Sequence, residues 1–297
     1  MDEPRFLGRK RGFRFGESIT VRFLLAIITR SVMATLKTQG LHAVFAGEPA
    51  QTQFDLHFRM AGIPVRVHPL FWLVAFLIGA SGGGERLPLV IWAAAVFVSI
   101  LVHELGHALT MRYFGQDARI VLYMMGGMAI PESSPWRAGA GRRTRGPLSQ
   151  ILISAAGPGA GFLLAVLVVA LVFAAGGVVR FGLAYGFLPI PAVRLPEAVN
   201  EAWYEVVYSL LWVNIFWGLM NLVPVYPLDG GQIAREVLVA KDPWEGVVKS
   251  LWLSVIVGAA VALVSFGVLH DRFLGILFGL LAFSNFMAIQ NLRGRMW

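Results

Sequence analysis

The 297-residue chain contains no cysteine. That absence removes thiol nucleophiles, disulfide frameworks, iron–sulfur clusters and any zinc site built on sulfur. Charge is also scarce: 14% of the residues are Asp, Glu, Lys or Arg, against about 25% in an ordinary globular domain. The apolar residues, 57% of the chain, are not spread at helix or strand period. They pool into long runs, and the mean hydropathy is +0.68. A disordered tail protein, a coiled coil and a soluble domain are thereby excluded. There is no internal repeat, and no loop is long enough to hold an inserted soluble domain. The net charge of +8 would suit nucleic acid in a polar chain. In one this apolar, basic residues read as determinants of membrane orientation, so no nucleic-acid partner is expected.

Residues 1–60 differ from the rest. Arg5, Arg9, Lys10, Arg11 and Arg14 make a basic opening, and the run from Ile19 to Leu36 is interrupted by Arg22 and Arg30. The gap between those arginines is too short for a spanning helix. The segment reads as a cytoplasmic arm, disordered or interfacial, with Met33 and Met60 as alternative starts. Residues 61–297 hold six hydrophobic runs, at 66–80, 88–114, 148–176, 203–224, 245–268 and 272–291, each roughly the 20 residues a bilayer demands. Between the second and third, Arg119 to Ile130 carries Gly126-Gly127 and reads as a small β-hairpin or re-entrant sheet. The predicted fold is an all-α polytopic membrane protein of about six transmembrane helices, with that small sheet near the active site. If all six runs cross, 21 of the 25 basic residues fall on one side, leaving Arg86, Arg180, Arg194 and Arg272 on the other. That bias places both termini in the cytoplasm of a multi-pass cell-membrane protein.

His103-Glu104-Leu105-Gly106-His107 lies within the second run. Residues four apart on a helix differ by about 40° around its axis, so both imidazoles point one way and can grip a single metal ion. Glu104 sits between them angularly and can reach a water on that metal. Ionisable residues in an apolar run need a compensating partner, and a divalent cation is one. A catalytic zinc takes a third protein ligand and keeps an open position; without cysteine that ligand must be His, Asp or Glu. Asn221-Leu222-Val223-Pro224-Val225-Tyr226-Pro227-Leu228-Asp229-Gly230-Gly231 offers Asp229, at the same predicted depth as the His pair. Alternatively, Asp229 is an N-cap for a helix over 230–240.

These two segments together resemble the site-2 protease family of intramembrane zinc metalloproteases. The family's H-E-x-x-H matches His103 to His107. Its Asn-x-x-Pro…Leu-Asp-Gly segment matches Asn221, Pro224, Leu228, Asp229 and Gly230, and a weaker Gly-x-x-x-Asn/Ser/Gly step matches Gly157 to Gly161. The resemblance covers about 62–291 and is to a minimal type without PDZ or CBS domain. It implies one zinc per chain held by His103, His107 and Asp229, with Glu104 as catalytic base. The implied reaction is hydrolysis of peptide bonds within or near the transmembrane segments of single-span membrane proteins in the lipid bilayer. Asn221 is read as an amide donor to the oxyanion or to substrate backbone, or else as helix-packing glue. Gly157–Gly161 is read as a close helix approach, His68-Pro69 as a helix start, and Trp72, Trp203 and Trp244 as interface anchors. Two other readings stay open: a transporter or proton relay using His103, Glu104 and His107, and a catalytically inactive scaffold.

Overall fold

The computed structural model describes residues 48–80, 86–124, 126–132, 146–186 and 188–294. The basic arm as far as residue 47 lies outside the described residues, as do residues 133–145, whose Arg137, Arg142, Arg143 and Arg145 form a basic cluster in the sequence. Strands β1 (Leu56–Met60) and β2 (Ile63–Val67) form a hairpin closed by Ala61 and Gly62. Both turn residues have positive φ, 50° and 75°, the primed turn whose twist matches that of the strands. Strand β3 (Asp117–Tyr123) pairs parallel to β2, and β4 (Gly126–Glu132) pairs antiparallel to β3, giving the order β1-β2-β3-β4. The hairpin predicted at 119–130 is therefore present, widened by two strands into a mixed sheet. Its first strand begins ahead of residue 61.

A parallel pair needs a long crossover. Here it is a helical hairpin, α1 (Pro69–Ala80) and α2 (Arg86–Tyr113), so the start of α1 and the end of α2 lie at the same end of the molecule. His68 opens α1, its ring Nδ1 accepting the Leu70 N–H at 3.2 Å. Alternate residues of the central strands (Ile63, Val65 and Val67; Ala118, Ile120 and Leu122) pack against Phe71, Ile100, Leu101 and Ala108 of the two helices, as the two-residue period of a strand requires. Trp72, half-buried, packs against this cluster and stacks on Phe97 at 5.1 Å, whereas Trp203 and Trp244 are exposed. Arg66 is buried too; it donates to Asp55 at 2.9 Å, Glu48 at 2.8 Å and the Pro49 carbonyl at 2.9 Å. Those contacts strap residues 48–55 onto the sheet.

Helix α3 (Pro147–Ala174) starts with proline at its first position, where no N–H is needed. A second hairpin follows, β5 (Val178–Ala184) with β6 (Leu188–Arg194), then α4 (Glu201–Asn221), capped by Asn200. Helix α5 (Asp229–Lys241) is short; α6 (Gly246–Val264) runs on through a π-helical turn (Ser265–Leu269) and pairs with α7 (Arg272–Gly294). Helices α2, α3 and α4 pack together, while α6 packs on α5 and α7.

Among the described residues, four stretches are long and apolar enough to cross a bilayer: Pro88–Tyr113, Pro147–Ala174, Gly246–Leu269 and Arg272–Leu292. This is a mostly helical, multi-pass membrane protein with small β-sheets. Two of the six predicted runs behave differently. The first splits at His68-Pro69 into strand and helix, and the 12-residue α1 spans about 18 Å, short of a hydrocarbon core of roughly 30 Å. The fourth run forms α4, but Glu205, Asn214 and its Trp and Tyr residues dilute its apolar character.

Candidate metal centre

The second half of α2 carries His103, Glu104 and His107, all less than 8% exposed. The other contributor comes from the far side of α4. That helix ends at Asn221, the prolines at 224 and 227 prevent its continuation, and α5 begins at Asp229 with Leu228 in the capping position. Asp229 is thus the first residue of α5 and not its cap, and its carboxylate turns to the histidines. A Cβ at Gly230 would strike the Leu222 carbonyl, and one at Gly231 the Tyr226 amide nitrogen. The double glycine lets the first turn of α5 fold back against the loop that precedes it.

His103 Nε2 lies 3.1 Å from Asp229 Oδ2 and 3.2 Å from His107 Nε2, and His107 Nε2 lies 3.3 Å from Asp229 Oδ1. Ligand atoms around a tetrahedral zinc ion sit roughly 3.3–3.6 Å from one another. His107 Nδ1 is 2.7 Å from the Ile153 carbonyl, an acceptor only, so Nδ1 carries a proton and neutral His107 turns a lone pair inward. With His103 also neutral and unprotonated at Nε2, three electron-rich atoms converge in a buried spot, an arrangement that a cation would satisfy. These residues form a group that could hold a metal ion, and the nitrogen and carboxylate donor set suits zinc.

The surroundings fix each member. Glu104 packs directly under Gly127 of β4, where any Cβ would collide with its side chain, and it accepts a hydrogen bond from the Ala129 backbone N–H. Gly157 of α3 faces the His107 ring in the same way. Tyr123 of β3 is buried nearby; burial and then the Glu104 charge push its phenol up to about 12, so it stays protonated. Asn221 is buried at the end of α4, and its Nδ2 donates to the Trp217 carbonyl at 3.0 Å. One turn before His103, Ser99 accepts from Asn214 Nδ2 at 2.8 Å, linking α2 to α4. The sequence thus brings together all three predicted ligands and Glu104. It does not reveal the Ile153 carbonyl, the seats at Gly127 and Gly157, or Tyr123, whose only sequence signal is a place in the predicted hairpin.

Residues 91–264 match the pattern of Peptidase family M50. A zinc metalloprotease of Methanocaldococcus jannaschii is 27% identical over 239 residues, 79% of this chain and 56% of that protein. A Mycobacterium tuberculosis protein that carries the name zinc metalloprotease Rip3 is 29% identical over 197 residues, 61% of this chain and 42% of that protein. The chain thus spans about half the length of the curated relatives it matches. Among solved structures, the Site-2 Protease from Methanocaldococcus jannaschii is 24% identical, with a TM-score of 0.48 over 80% of this chain and 95% of that one. With more than half of its residues matched to the family pattern, this chain belongs to peptidase family M50.

Proposed function

We propose that this chain is an intramembrane zinc endopeptidase, and that it hydrolyses peptide bonds within or near the transmembrane segments of single-span membrane proteins. The observation that carries the reading is the 3.1–3.3 Å triangle of His103, His107 and Asp229 with Glu104 beside it, buried at one end of an apolar helix bundle. His103, His107 and Asp229 are the metal ligands. Bound zinc supplies Lewis-acid polarisation of the scissile carbonyl and acidifies a water molecule. Glu104 takes the proton of the attacking water and passes it to the leaving amine as the C–N bond breaks. Asn221 spends one amide hydrogen on the Trp217 carbonyl and retains a second, which serves the substrate carbonyl oxygen as negative charge develops.

A helical substrate has its peptide carbonyls hydrogen-bonded internally, so it must unwind before attack. Strand β4 is an edge of the sheet and lies over Glu104. An extended segment laid along that edge gains main-chain hydrogen bonds beside the base. Support for a cytoplasmic site comes from Arg59, Arg66 and Arg119 on the sheet, Arg112 in the last turn of α2 and Arg235 of α5, all at the site's end of the molecule.

The test uses the purified full chain with a tagged single-span substrate in vesicles. Wild type should hold one zinc and cleave, and 1,10-phenanthroline should stop cleavage. Glu104→Gln should hold zinc equally and cleave at least about a hundredfold more slowly, the scale of a lost general base. Cleavage by Glu104→Gln at the wild-type rate would remove the base assignment, and a wild-type chain that binds no zinc would remove the metal reading.

A further inference from the structure

Asp229 reaches the histidines from a loop whose anchorage lies elsewhere. Three residues upstream, both main-chain groups of Tyr226 are held by side chains of the last two helices. The Tyr226 N–H donates to Ser254 Oγ of α6 at 3.0 Å, and Asn285 Nδ2 of α7 donates to the Tyr226 carbonyl at 2.7 Å. Ser254 Oγ also donates to the Ser250 carbonyl at 2.9 Å, and Asn285 Nδ2 also donates to the Leu281 carbonyl at 2.8 Å. Both side chains are almost completely buried, at 1% and 2% exposure. The neighbouring Val225, fully buried, is locked among Ala262, Leu274, Phe278 and Leu281 of the same helix pair.

Polar side chains buried in apolar helices are costly unless bonded. Asn285 spends both of its donors here while its Oδ1 has no partner, so its amide serves the loop rather than its own satisfaction. The latched peptide also abuts the start of α5, since a Cβ on Gly231 would strike the Tyr226 nitrogen. The Tyr226 peptide and the turn that carries Asp229 are thus in direct contact. The histidines lie on α2, which packs on the sheet, α3 and α4.

We propose that Ser254 and Asn285 are positioning residues for the metal centre: they hold the Tyr226 peptide so that Asp229 meets the His103–His107 pair. This rests on the reading of those three residues as zinc ligands, and it makes the α6–α7 pair a working part of the site. Groups hydrogen-bonded to a metal ligand typically change metal affinity by about 10–100-fold when removed, and Ser254 and Asn285, one step further from the metal, belong at the low end of that range.

The experiment measures zinc affinity of the purified full chain by competition with a chelator, together with the visible absorption of the cobalt-substituted protein. Asn285→Leu leaves the Tyr226 carbonyl unpaired, and Ser254→Ala removes the acceptor for its N–H. Each should weaken zinc binding about tenfold or more and alter the cobalt bands, with helix content unchanged. Ser254→Thr keeps the hydroxyl and should restore both. Wild-type affinity and spectrum in Asn285→Leu and Ser254→Ala would overturn the proposal, as would equal weakening in Ser254→Ala and Ser254→Thr. Should Asn285→Leu fail to fold, the two serine variants decide alone. Loss of the metal reading shows separately, because wild type itself would then bind no zinc.

Discussion

A side chain that is absent can define a site as firmly as one that is present. Gly157 leaves the space taken by the His107 ring, and Gly127 the space taken by Glu104. Neither backbone can withdraw, because one belongs to a helix packed on α2 and the other to a paired strand. On the proposed reading, Gly157 backs a metal ligand and Gly127 backs the base. Gly157→Ala should push His107 aside and lower zinc affinity by about tenfold or more, as expected when support for a ligand is lost, measured by metal competition. Gly127→Ala should leave zinc content unchanged yet slow cleavage about a hundredfold, since it displaces the base alone. A Gly127→Ala variant that loses its metal would mean that Glu104 and the ligands move as one unit. The spacing of His103 and His107 made their shared helix face legible in the sequence, and the Leu-Asp-Gly-Gly run made Asp229 legible. Gly157 was legible as a point of close helix approach and Gly127 as part of a hairpin, but what each makes room for was not, because that depends on what faces it across a tertiary contact.

At the level of elements, the sheet depends on an electrostatic strap. Burial works against ionisation of Asp55, but hydrogen bonds from Thr52 and Arg66 hold its carboxyl down to about 2. A pKa lowered from 3.8 on folding contributes stability that is complete above about 4 and lost as pH falls through about 2. Protection factors over residues 48–67, with the intrinsic pH dependence of amide exchange divided out, should therefore stay high at pH 5 and drop as pH falls towards 2. Asp55→Asn should exchange faster at pH 5 and lose most of that pH step; an unchanged step would assign it to another carboxylate. Long apolar helices were legible because length and hydropathy suffice to mark them. Strand β2 was not, since Ile63–Val67 and the helix after it form one apolar run and only His68-Pro69 marks the change of period. The β5–β6 hairpin was missed too, although Tyr185-Gly186 between two apolar seven-residue stretches is a turn signal. Ser254 and Asn285 are polar residues in apolar helices that the sequence reading passed over, because their shared partner, the Tyr226 peptide, belongs to a segment far away in sequence.

For the molecule as a whole, strand pairing and helix packing order the ends without reference to a membrane. The β2–β3 pairing puts the sheet at the end of α2 that carries the histidines, and Asp229 follows α4 at that same end. The β5–β6 hairpin connects the opposite ends of α3 and α4, so it lies across the bundle from the metal centre. In a bilayer the two ends face different compartments, and the basic residues predict which. A chain without cysteine allows this to be read with single introduced thiols. Trp244, 93% exposed near the site's end, and Phe181, 54% exposed in the hairpin, are suitable positions. In intact cells a membrane-impermeant maleimide should label Phe181→Cys at once and Trp244→Cys only after permeabilisation. Labelling of both from outside would mean that the bundle does not separate the compartments. The reverse pattern would put the site on the outer face, where a substrate must present its scissile bond from the opposite leaflet.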